Sequence, residues 1–475
     1  MKDLLFLMAF IVTVPIGTAL GITVPLVQDL VFVGMIVGTT LMGGYLDINF
    51  VSREWYKGST RGIEMSSLDL LTLILLLSVL WTRHRERKSL FWPAGLAWML
   101  AYACYACANV ALSTPKIFGL FELTKIARGI IVFLAVAYYV RGPRELKLLL
   151  VGLCLAIGHE GLMALYQRYL LHQFRIPGTL IHPNNLSFYC CIAAPLLVAG
   201  AFANVRVALR LACAGCAVLA VACVILSISR MGFFVVMAVT TAALFASMGF
   251  RITPKNVAIL VCAGFLASAM LWKSWDTISA RYGQATLEDE YGHEDQGRGV
   301  YLRLAKRIVS DHPLGVGLNN WSFYVSNQYG SQAGLIYNPY SGTNEWPDWT
   351  HVHGMEDPQA VPAHNILALT VGELGWPGLF LFLGMWARWF ILAGGPLLRR
   401  TSALDSCFFV GAFFALCGIF LHGLTEYVFR VTPVFLLTHI VVGTMAALHH
   451  HRHDSVEDLV WLSAVKQKVK EVQGG

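Results

Sequence analysis

The chain has 475 residues, of which 56% are hydrophobic and 13% are charged, and its formal net charge is +7. Soluble globular chains carry roughly a quarter charged residues, so this composition excludes an ordinary soluble domain and indicates a polytopic membrane protein. The excess of positive charge lies in short loops between apolar runs. It is therefore a signal of membrane topology and does not indicate nucleic-acid binding.

About 12 or 13 candidate membrane-spanning helices follow along the chain, since about 20 apolar residues cross the hydrocarbon core of a bilayer. The count depends on whether the first two runs form one broken helix. The runs are 4–20, 24–46, 67–82, 90–112, 120–140, 146–166, 184–203, 208–228, 231–249, 256–273, 364–393, 404–421 and 431–448. We therefore predict an all-α polytopic fold with one large, partly helical loop.

Four regions follow from this map of spans. They are an N-terminal bundle of transmembrane helices (1–273), an outer loop (274–363), the C-terminal transmembrane helices (364–448) and a cytoplasmic tail (449–475). The outer loop carries 11 Asp and Glu against 5 Lys and Arg, a net of −6, so the rest of the chain is at +13. Positive residues mark cytoplasmic loops, which predicts that the acidic loop lies on the opposite, outer face.

Short basic clusters between the spans support this orientation, because alternation of the spans puts all of them on one face. They are Arg83, Arg85, Arg87 and Lys88; Arg141, Arg144 and Lys147; Arg206 and Arg210; Arg251 and Lys255; Arg399 and Arg400; and Lys466, Lys468 and Lys470 in the tail. We expect this face to be the cytoplasmic one.

The outer loop is the longest polar stretch of the chain, and loops carry sites more often than packed helices do. Its residues 301–310 place apolar side chains at helical spacing, and Pro313 then disfavours further helix. A glycine turn follows at 314–320. Residues 321–362 are rich in Trp, Tyr, Asn and Gly, which predicts a folded but irregular surface whose aromatic rings either form a loop core or stack on sugars.

Candidate functional residues lie at the outer boundary of the spans. Arg175, Arg230, Arg298 and His364 are the principal ones, and Arg303 follows Arg298 by somewhat more than one helical turn. Arginines at a membrane boundary often only extend to the lipid headgroups, and a lone histidine is often only a helix-end residue. Together, however, these side chains suit an anion site, because guanidinium groups bind phosphate through two parallel hydrogen bonds and histidine accepts a proton.

Other polar groups within the apolar runs favour structural interpretations. Lys125 and Arg128 share a run with Glu122, which predicts an internal ion-pair network. His159 and Glu160 are expected to form a packed polar pair. The 11 cysteines lie in apolar runs, where cysteine serves as a small apolar residue, and we expect no metal site and no disulfide.

The ordered motifs resemble the O-antigen ligase/O-antigen polymerase superfamily of bacterial envelope glycosyltransferases. An R-x-x-G-T-x-x-H-P-N element covers 175–184, and S-R-x-G follows at 229–232 between two spans. The outer loop has R-x14-P-x-G-V-G at 298–317, and H-N-x-L with a later G-x-x-G opens the next span at 364–375. R-G-x-E at 61–64 is similar to exopolysaccharide members, whereas Met231 departs from the small residue that is common in the family.

The resemblance implies a bacterial inner-membrane enzyme that acts at the periplasmic face without a metal or other cofactor. Its donor would be a glycan on undecaprenyl pyrophosphate, and its acceptor a sugar hydroxyl on a growing glycan or on lipid A–core. Arg230 and Arg298 would contact the pyrophosphate, with Arg175 as a third cation, and His364 would be the base. The further substrate contacts that we expect are Arg303, Asn184 and Asn365.

Two other functions remain open from the sequence. The first is a multi-helix transporter or flippase for lipid-linked or anionic substrates, although no internal repeat of the kind that many transporters show is evident. The second is a scaffold protein of an envelope assembly. The motifs leave ligase, polymerase and protein-glycosylating relatives undistinguished. If the glycosyltransferase interpretation is right, Arg230, Arg298 and His364 should converge around one cavity that opens to the outer face.

Overall fold

The computed structural model describes residues 2–41, 47–53, 55–249, 253–273, 275, 279, 299–329, 360–397 and 403–473. α-Helices dominate this part of the chain. They are α1 (Lys2–Thr23), α2 (Pro25–Gly38), α3 (Ser67–Arg85), α4 (Leu96–Leu112), α5 (Lys116–Tyr139), α6 (Pro143–Tyr169), α7 (Pro183–Phe202), α8 (Val207–Ser227), α9 (Arg230–Ser247), α10 (Pro254–Lys273), α11 (Gly299–Asp311), α12 (Trp321–Tyr324), α13 (Ile366–Leu397), α14 (Leu404–Gly423) and α15 (Thr432–Gln473).

The predicted all-α membrane architecture is confirmed. Each of the thirteen predicted runs overlaps one of the helices, although α2 and α4 are shorter than the runs that predicted them. Within the described ranges, nine helices are long and apolar enough to cross a bilayer, and α2 and α4 are shorter apolar helices. The protein is therefore a multi-pass membrane protein. Helix α7 packs against α8, α9 and α14 and is buried along most of its length.

Two boundaries differ from the predicted ones. The first two runs are separate helices, because the chain leaves helical geometry at Val24 and Pro25 then opens α2, which ends at Gly38 and not near residue 46. At the other end, α15 continues to Gln473, so the boundary placed between residues 448 and 449 lies within a helix. The apolar pattern stops at the membrane surface, but nothing in the sequence there breaks a helix.

A β-hairpin that the span map did not predict lies between α2 and α3. Strand β1 (Asp47–Phe50) pairs antiparallel with β2 (Ile63–Ser66), with Asp47 opposite Ser66 and Phe50 opposite Ile63. Strands of four residues are too short to give a clear alternating pattern. Ser66 ends the hairpin and caps α3, since its backbone N–H donates to Asp69 Oδ2 at 2.7 Å.

The glycine turn of the outer loop inserts into a break in α13. Helical geometry is lost at Gly375, and the loop approaches so closely that Val316 N–H donates to Gly372 O at 3.0 Å. Gly315 has a φ of +84°, and a Cβ there would lie 2.2 Å from the carbonyl oxygen of Glu373. Both facts require glycine. The P-x-G-V-G element therefore fastens the outer loop to a membrane-spanning helix.

Candidate functional site

A cavity of about 450 Å³ lies where the hairpin, the start of α7, the start of α13 and the segment between α14 and α15 meet. Its walls combine guanidinium, imidazole, carboxylate and amide groups. The charged and polar side chains that line it include Arg61, Glu64, Arg128, His182, Asn184, His364, Glu426 and Arg430. Such a set of convergent polar groups in a concave site is characteristic of ligand binding.

The R-x-x-G-T-x-x-H-P-N element forms one wall of the cavity by folding into a tight turn between α6 and α7. Gln167 of α6 holds this turn at Gly178, with its amide nitrogen donating to Gly178 O at 2.8 Å and its amide oxygen accepting from Gly178 N–H at 3.0 Å. Gly178 has a φ of +61°, which favours glycine. Thr179 N–H donates to the buried Glu160 carboxylate at 3.0 Å. The turn fixes the residues that follow it at the start of α7.

His182 caps α7 through its imidazole, which accepts a hydrogen bond from Asn184 N–H at 3.2 Å. Its ring nitrogen acts here as an acceptor, so the neutral form is the one that caps. Burial, followed by the neighbouring Arg175 guanidinium, lowers the pKa of His182. The ring is therefore held neutral at the cavity wall.

His364 and Glu426 form a pair in the wall of the cavity. His364 Nδ1 is hydrogen-bonded to Glu426 Oε2, and the imidazole lies between the rings of Tyr301 and Tyr427, with centroid distances of 5.4 and 5.6 Å. The Glu426 side chain is 6% exposed, whereas that of His364 is 29% exposed. A buried carboxylate that accepts from Nδ1–H fixes the tautomer in which Nε2 carries the lone pair.

Asn184 connects this pair to Arg175. The Asn184 amide donates to Glu426 Oε1 at 3.3 Å and accepts from Arg175 Nη2 at 3.1 Å. The next residue after the histidine serves the backbone instead: Asn365 Oδ1 accepts from the N–H groups of Leu367 and Ala368, both at 3.0 Å, so Asn365 caps α13. That cap holds His364 at the end of the helix. A substrate contact by Asn365 stays a prediction.

Arg430 of the cavity lining also belongs to a network of buried ions, which we call the buried ion cluster: Glu122, Lys125, Glu373 and Arg430. Arg430 bridges Glu122 at 3.1 Å and Glu373 at 3.0 Å, and Lys125 Nζ lies 2.8 Å from Glu122. The predicted pairing of Lys125 with Glu122 is confirmed. Arg128 instead binds Asp69 at 2.7 Å across the α3–α5 interface. His159 Nδ1 lies 3.7 Å from Glu160 Oε1, so the two side chains form a polar pair as predicted.

The predicted site residues are brought together only in part. His364 and Asn184 line the cavity and Arg175 contacts Asn184, but Arg230 and Arg303 are not among the lining residues. Arg230 begins α9, which packs closely on α7: a Cβ at Gly232 would lie 1.9 Å from Ser187 Oγ. Arg298 and most of the aromatic stretch 321–362 lie outside the described residues. The convergence of Arg230, Arg298 and His364 around one cavity therefore stays a prediction.

The sequence analysis did not identify Glu426, and it did not predict that the hairpin contributes residues to the cavity. Glu426 lies between two apolar runs, where a lone carboxylate has no spacing relation to the histidine 62 positions earlier that it contacts. The R-G-x-E element at 61–64 was noted, yet nothing in the sequence indicated that Arg61 and Glu64 lie in the same cavity as His364. A charged residue at the boundary of a span was the only available signal.

Comparison with protein families gives one match, which covers part of the chain. A family model described as O-antigen ligase matches residues 215–383, a segment that contains Arg230, Arg298, Arg303 and His364. No curated protein matches the chain. The hairpin, the start of α7 and Glu426 lie outside the matched segment. The matched segment and the multi-pass helical fold support the resemblance of this chain to the O-antigen ligase/O-antigen polymerase superfamily of membrane glycosyltransferases.

Proposed function

We propose that the protein transfers a glycan from undecaprenyl pyrophosphate to a sugar hydroxyl at the periplasmic face of a bacterial inner membrane. The observation that carries this proposal is the pair of His364 and Glu426 in the cavity wall at the ends of membrane-spanning helices. A lipid-linked donor keeps its polyprenyl tail in the bilayer and its glycan outside. A transferase for it needs a polar reaction site at the end of its spans.

The pair suits general-base catalysis. Glu426 accepts from Nδ1–H of His364, so Nε2 takes the proton of the acceptor hydroxyl. The acceptor oxygen then forms a bond to C1 of the donor sugar while the bond from C1 to the pyrophosphate oxygen breaks. The pyrophosphate leaves with the electron pair of that bond. Attack from the face opposite the leaving group inverts the configuration at C1.

The donor half of the reaction is assigned to arginines. Negative charge grows on the pyrophosphate as the bond to C1 breaks, and preorganised guanidinium groups stabilise it without a metal ion. Arg230 and Arg298 are the proposed contacts. Arg175, which Asn184 ties to Glu426, is a third cation near the base. Arg303, on α11, is proposed as a more distant contact to the donor glycan.

The test is a transfer assay with the purified full-length protein in detergent. Undecaprenyl-pyrophosphate oligosaccharide is the donor, and the two acceptors are the free oligosaccharide repeat and lipid A–core. We expect glycan transfer to one acceptor, with product of inverted anomeric configuration by NMR, in the presence of EDTA. Loss of product on chelation that Mg²⁺ restores would contradict metal independence. Movement of the donor across liposomes without any transfer would support a flippase instead.

Replacement of the proposed pyrophosphate contacts has a defined outcome. Arg230→Ala and Arg298→Ala should abolish transfer while the protein still inserts into the membrane. Lysine should restore little activity, because a point charge lacks the two parallel donors of a guanidinium. Arg206→Ala, in a predicted cytoplasmic loop, is the matched control and should stay active. Full activity of Arg230→Lys would show that residue 230 only anchors α9 at the membrane surface.

A further inference from the structure

The reaction described above assigns no role to the end of the cavity that the hairpin lines. Arg61 and Glu64 of the hairpin, Arg128 of α5 and Thr432 at the start of α15 line this end, which we call the hairpin subsite. None of them belongs to the segment that matches the O-antigen ligase family. The four come from three separate parts of the chain, so the fold assembles this group around the cavity.

Arg128 presents an unsatisfied donor at this end of the cavity. Its Nε donates to Asp69 Oδ1 at 2.7 Å and its Nη2 to Ser66 Oγ at 3.3 Å, so the guanidinium is held in place. Nη1 has no hydrogen-bond partner although only 10% of the side chain is exposed. A buried donor without a partner is destabilising, and an acceptor bound in the cavity would satisfy it.

Glu64 places an acceptor beside this donor. Its Oε2 lies 3.6 Å from Arg128 Nη1, too far for a hydrogen bond, and accepts from Thr432 Oγ1 at 2.9 Å. The side chain is 33% exposed, so the carboxylate retains acceptor capacity at the cavity surface. Pairing of Glu64 with Asn49 in the hairpin fixes the backbone from which it extends.

The balance of charge indicates what the subsite binds. Arg61 and Arg128 carry two positive charges, and Glu64 and Asp69 carry two negative ones, so an anion gains no net attraction here. A phosphate would also be repelled by the Glu64 oxygens. Sugar hydroxyls suit the arrangement, since a hydroxyl accepts from a guanidinium and donates to a carboxylate at the same time.

Tyr427 connects the hairpin subsite to the base. Its half-buried ring lines the cavity, and its centroid is 5.6 Å from that of His364. Arg61 and Glu426 line the same cavity as this ring. Aromatic rings offer sugars a flat amphipathic face. Arg61, Tyr427 and His364 thus line one cavity, in which Tyr427 contacts the base.

We propose that the hairpin subsite binds the acceptor sugar, with its hydroxyls held by Arg61, Glu64 and Arg128 and one hydroxyl directed past Tyr427 towards His364. This inference rests on the proposed function and assigns the acceptor side of the same cavity. It also separates the two substrates. The proposed pyrophosphate contacts belong to the segment shared with the family, whereas the acceptor contacts belong to parts of the chain outside it.

The experiment measures equilibrium binding to the purified full-length protein by isothermal titration calorimetry. The probes are the oligosaccharide released from the lipid-linked donor, the core oligosaccharide released from lipopolysaccharide, and undecaprenyl pyrophosphate without sugar. The variants are Glu64→Gln and Arg61→Gln. Arg53→Gln, in the same hairpin but outside the cavity lining, is the matched control. Glutamine keeps an acceptor for Thr432, and unchanged Tm values verify folding.

We expect Glu64→Gln and Arg61→Gln to weaken binding of one oligosaccharide by roughly 10-fold or more, since hydrogen bonds to charged groups contribute about 1.5–3 kcal/mol. Both variants should bind undecaprenyl pyrophosphate as the unaltered protein does, and the control Arg53→Gln should bind all three probes unchanged. Loss of binding for the released repeat indicates a growing-chain acceptor, and loss for the core oligosaccharide indicates a ligase acceptor.

Three outcomes would overturn the subsite. These are no binding of either oligosaccharide to the unaltered protein, unchanged binding in both variants, and weaker binding of undecaprenyl pyrophosphate. The last would make the hairpin end the pyrophosphate pocket. Failure of the proposed function is distinguishable, because binding is measured without turnover. Transfer with unchanged oligosaccharide binding removes the subsite alone, and altered binding without transfer removes the transferase function alone.

Discussion

The buried ion cluster and the cavity wall adjoin one another through Arg430, and both are built from arginine and glutamate with a lysine or histidine. In the buried ion cluster, every side chain is 4% exposed or less and is matched by an opposite charge. In the cavity wall, His364 is 29% and Glu64 is 33% exposed, and Arg128 keeps a donor without a partner. Completed pairing serves the fold, and incomplete pairing leaves capacity for a ligand.

Two lysine–glutamate pairs show that the distance between two charges does not by itself tell whether the fold depends on them. Lys125 and Glu122 are 2.8 Å apart and each is 1% exposed, whereas Lys88 and Glu86 are also 2.8 Å apart but are 58% and 39% exposed. Water screens the second pair and leaves it little to contribute. Removing Lys125 from the first leaves the two buried carboxylates of Glu122 and Glu373 with Arg430 as their shared cation. Burial therefore decides which pairs the fold depends on.

The largest expected effect is on the cavity wall, and it should be one of activity alone. We expect His364→Gln to lower the transfer rate roughly 10²–10⁴-fold, because glutamine hydrogen-bonds the acceptor but takes no proton from it. Tm should not change. The measurement is the transfer assay with undecaprenyl-pyrophosphate oligosaccharide, with His312→Gln as the control. A rate near that of the unaltered protein for His364→Gln, with His364→Ala inactive, would make His364 a positioning residue.

The next effect is on the buried ion cluster, and it should be one of stability. We expect Lys125→Met to lower the free energy of unfolding by about 3–5 kcal/mol, because Glu122 loses a buried partner. Denaturant unfolding in detergent measures this change. Lys88→Met is the matched control, since it breaks an exposed pair of the same length, and it should leave the unfolding midpoint unchanged. Equal midpoints for both variants would contradict the role assigned to burial.

The smallest expected effect concerns the pH dependence of stability at the cavity wall. The folded pKa of His182 lies below its unfolded value, which is about 6.5 for an unperturbed histidine. The unfolded chain therefore binds more protons as the pH falls. The contribution of His182 to stability is present above about pH 6.5 and is lost as the pH falls towards the folded pKa.

His182→Asn tests this pH dependence, because asparagine caps a helix but does not titrate. We expect the variant to lose less Tm than the unaltered protein when the pH is lowered from 7 to 5 in detergent. His172→Asn, in the exposed loop before the turn, is the control and should lose as much Tm as the unaltered protein. An acid-induced loss in His182→Asn equal to that of the unaltered protein would show that the capping ring does not titrate with folding.

Most of the membrane fold was predictable because each span must bury a long apolar run in lipid. All thirteen runs overlap helices, and the amphipathic residues 301–310 lie within α11, which covers Gly299–Asp311. The hairpin was not predictable from spans, since strands of four residues carry little pattern. Its position depends on contacts with distant loops: Ser59 N–H donates to Asn319 Oδ1 at 2.9 Å, across 260 positions of the chain.

The candidate site was predictable residue by residue only where a local motif constrained it. The turn that carries Asn184 and the helix end that carries His364 are both local structures, formed by Gly178 with Gln167 and by the Asn365 cap. The chemistry proposed for them also came from the sequence, since histidine and asparagine at a span boundary suit proton transfer and hydrogen bonding. Glu426 escaped notice because its role exists only through its contact with His364.

The sequence by itself determined the membrane class, the order of the apolar helices, the excess of acidic residues in 274–363 and the motifs that resemble a glycosyltransferase superfamily, because these depend on composition and on local spacing. Only the tertiary structure decided which charges are paired. It joined Arg430 to Glu122 and Glu373, joined His364 to Glu426, and left Arg128 with a donor facing Glu64. The physical reason is that pairing and burial depend on which chain segments meet. These segments lie from about 60 to about 300 residues apart, and local sequence patterns do not indicate such contacts.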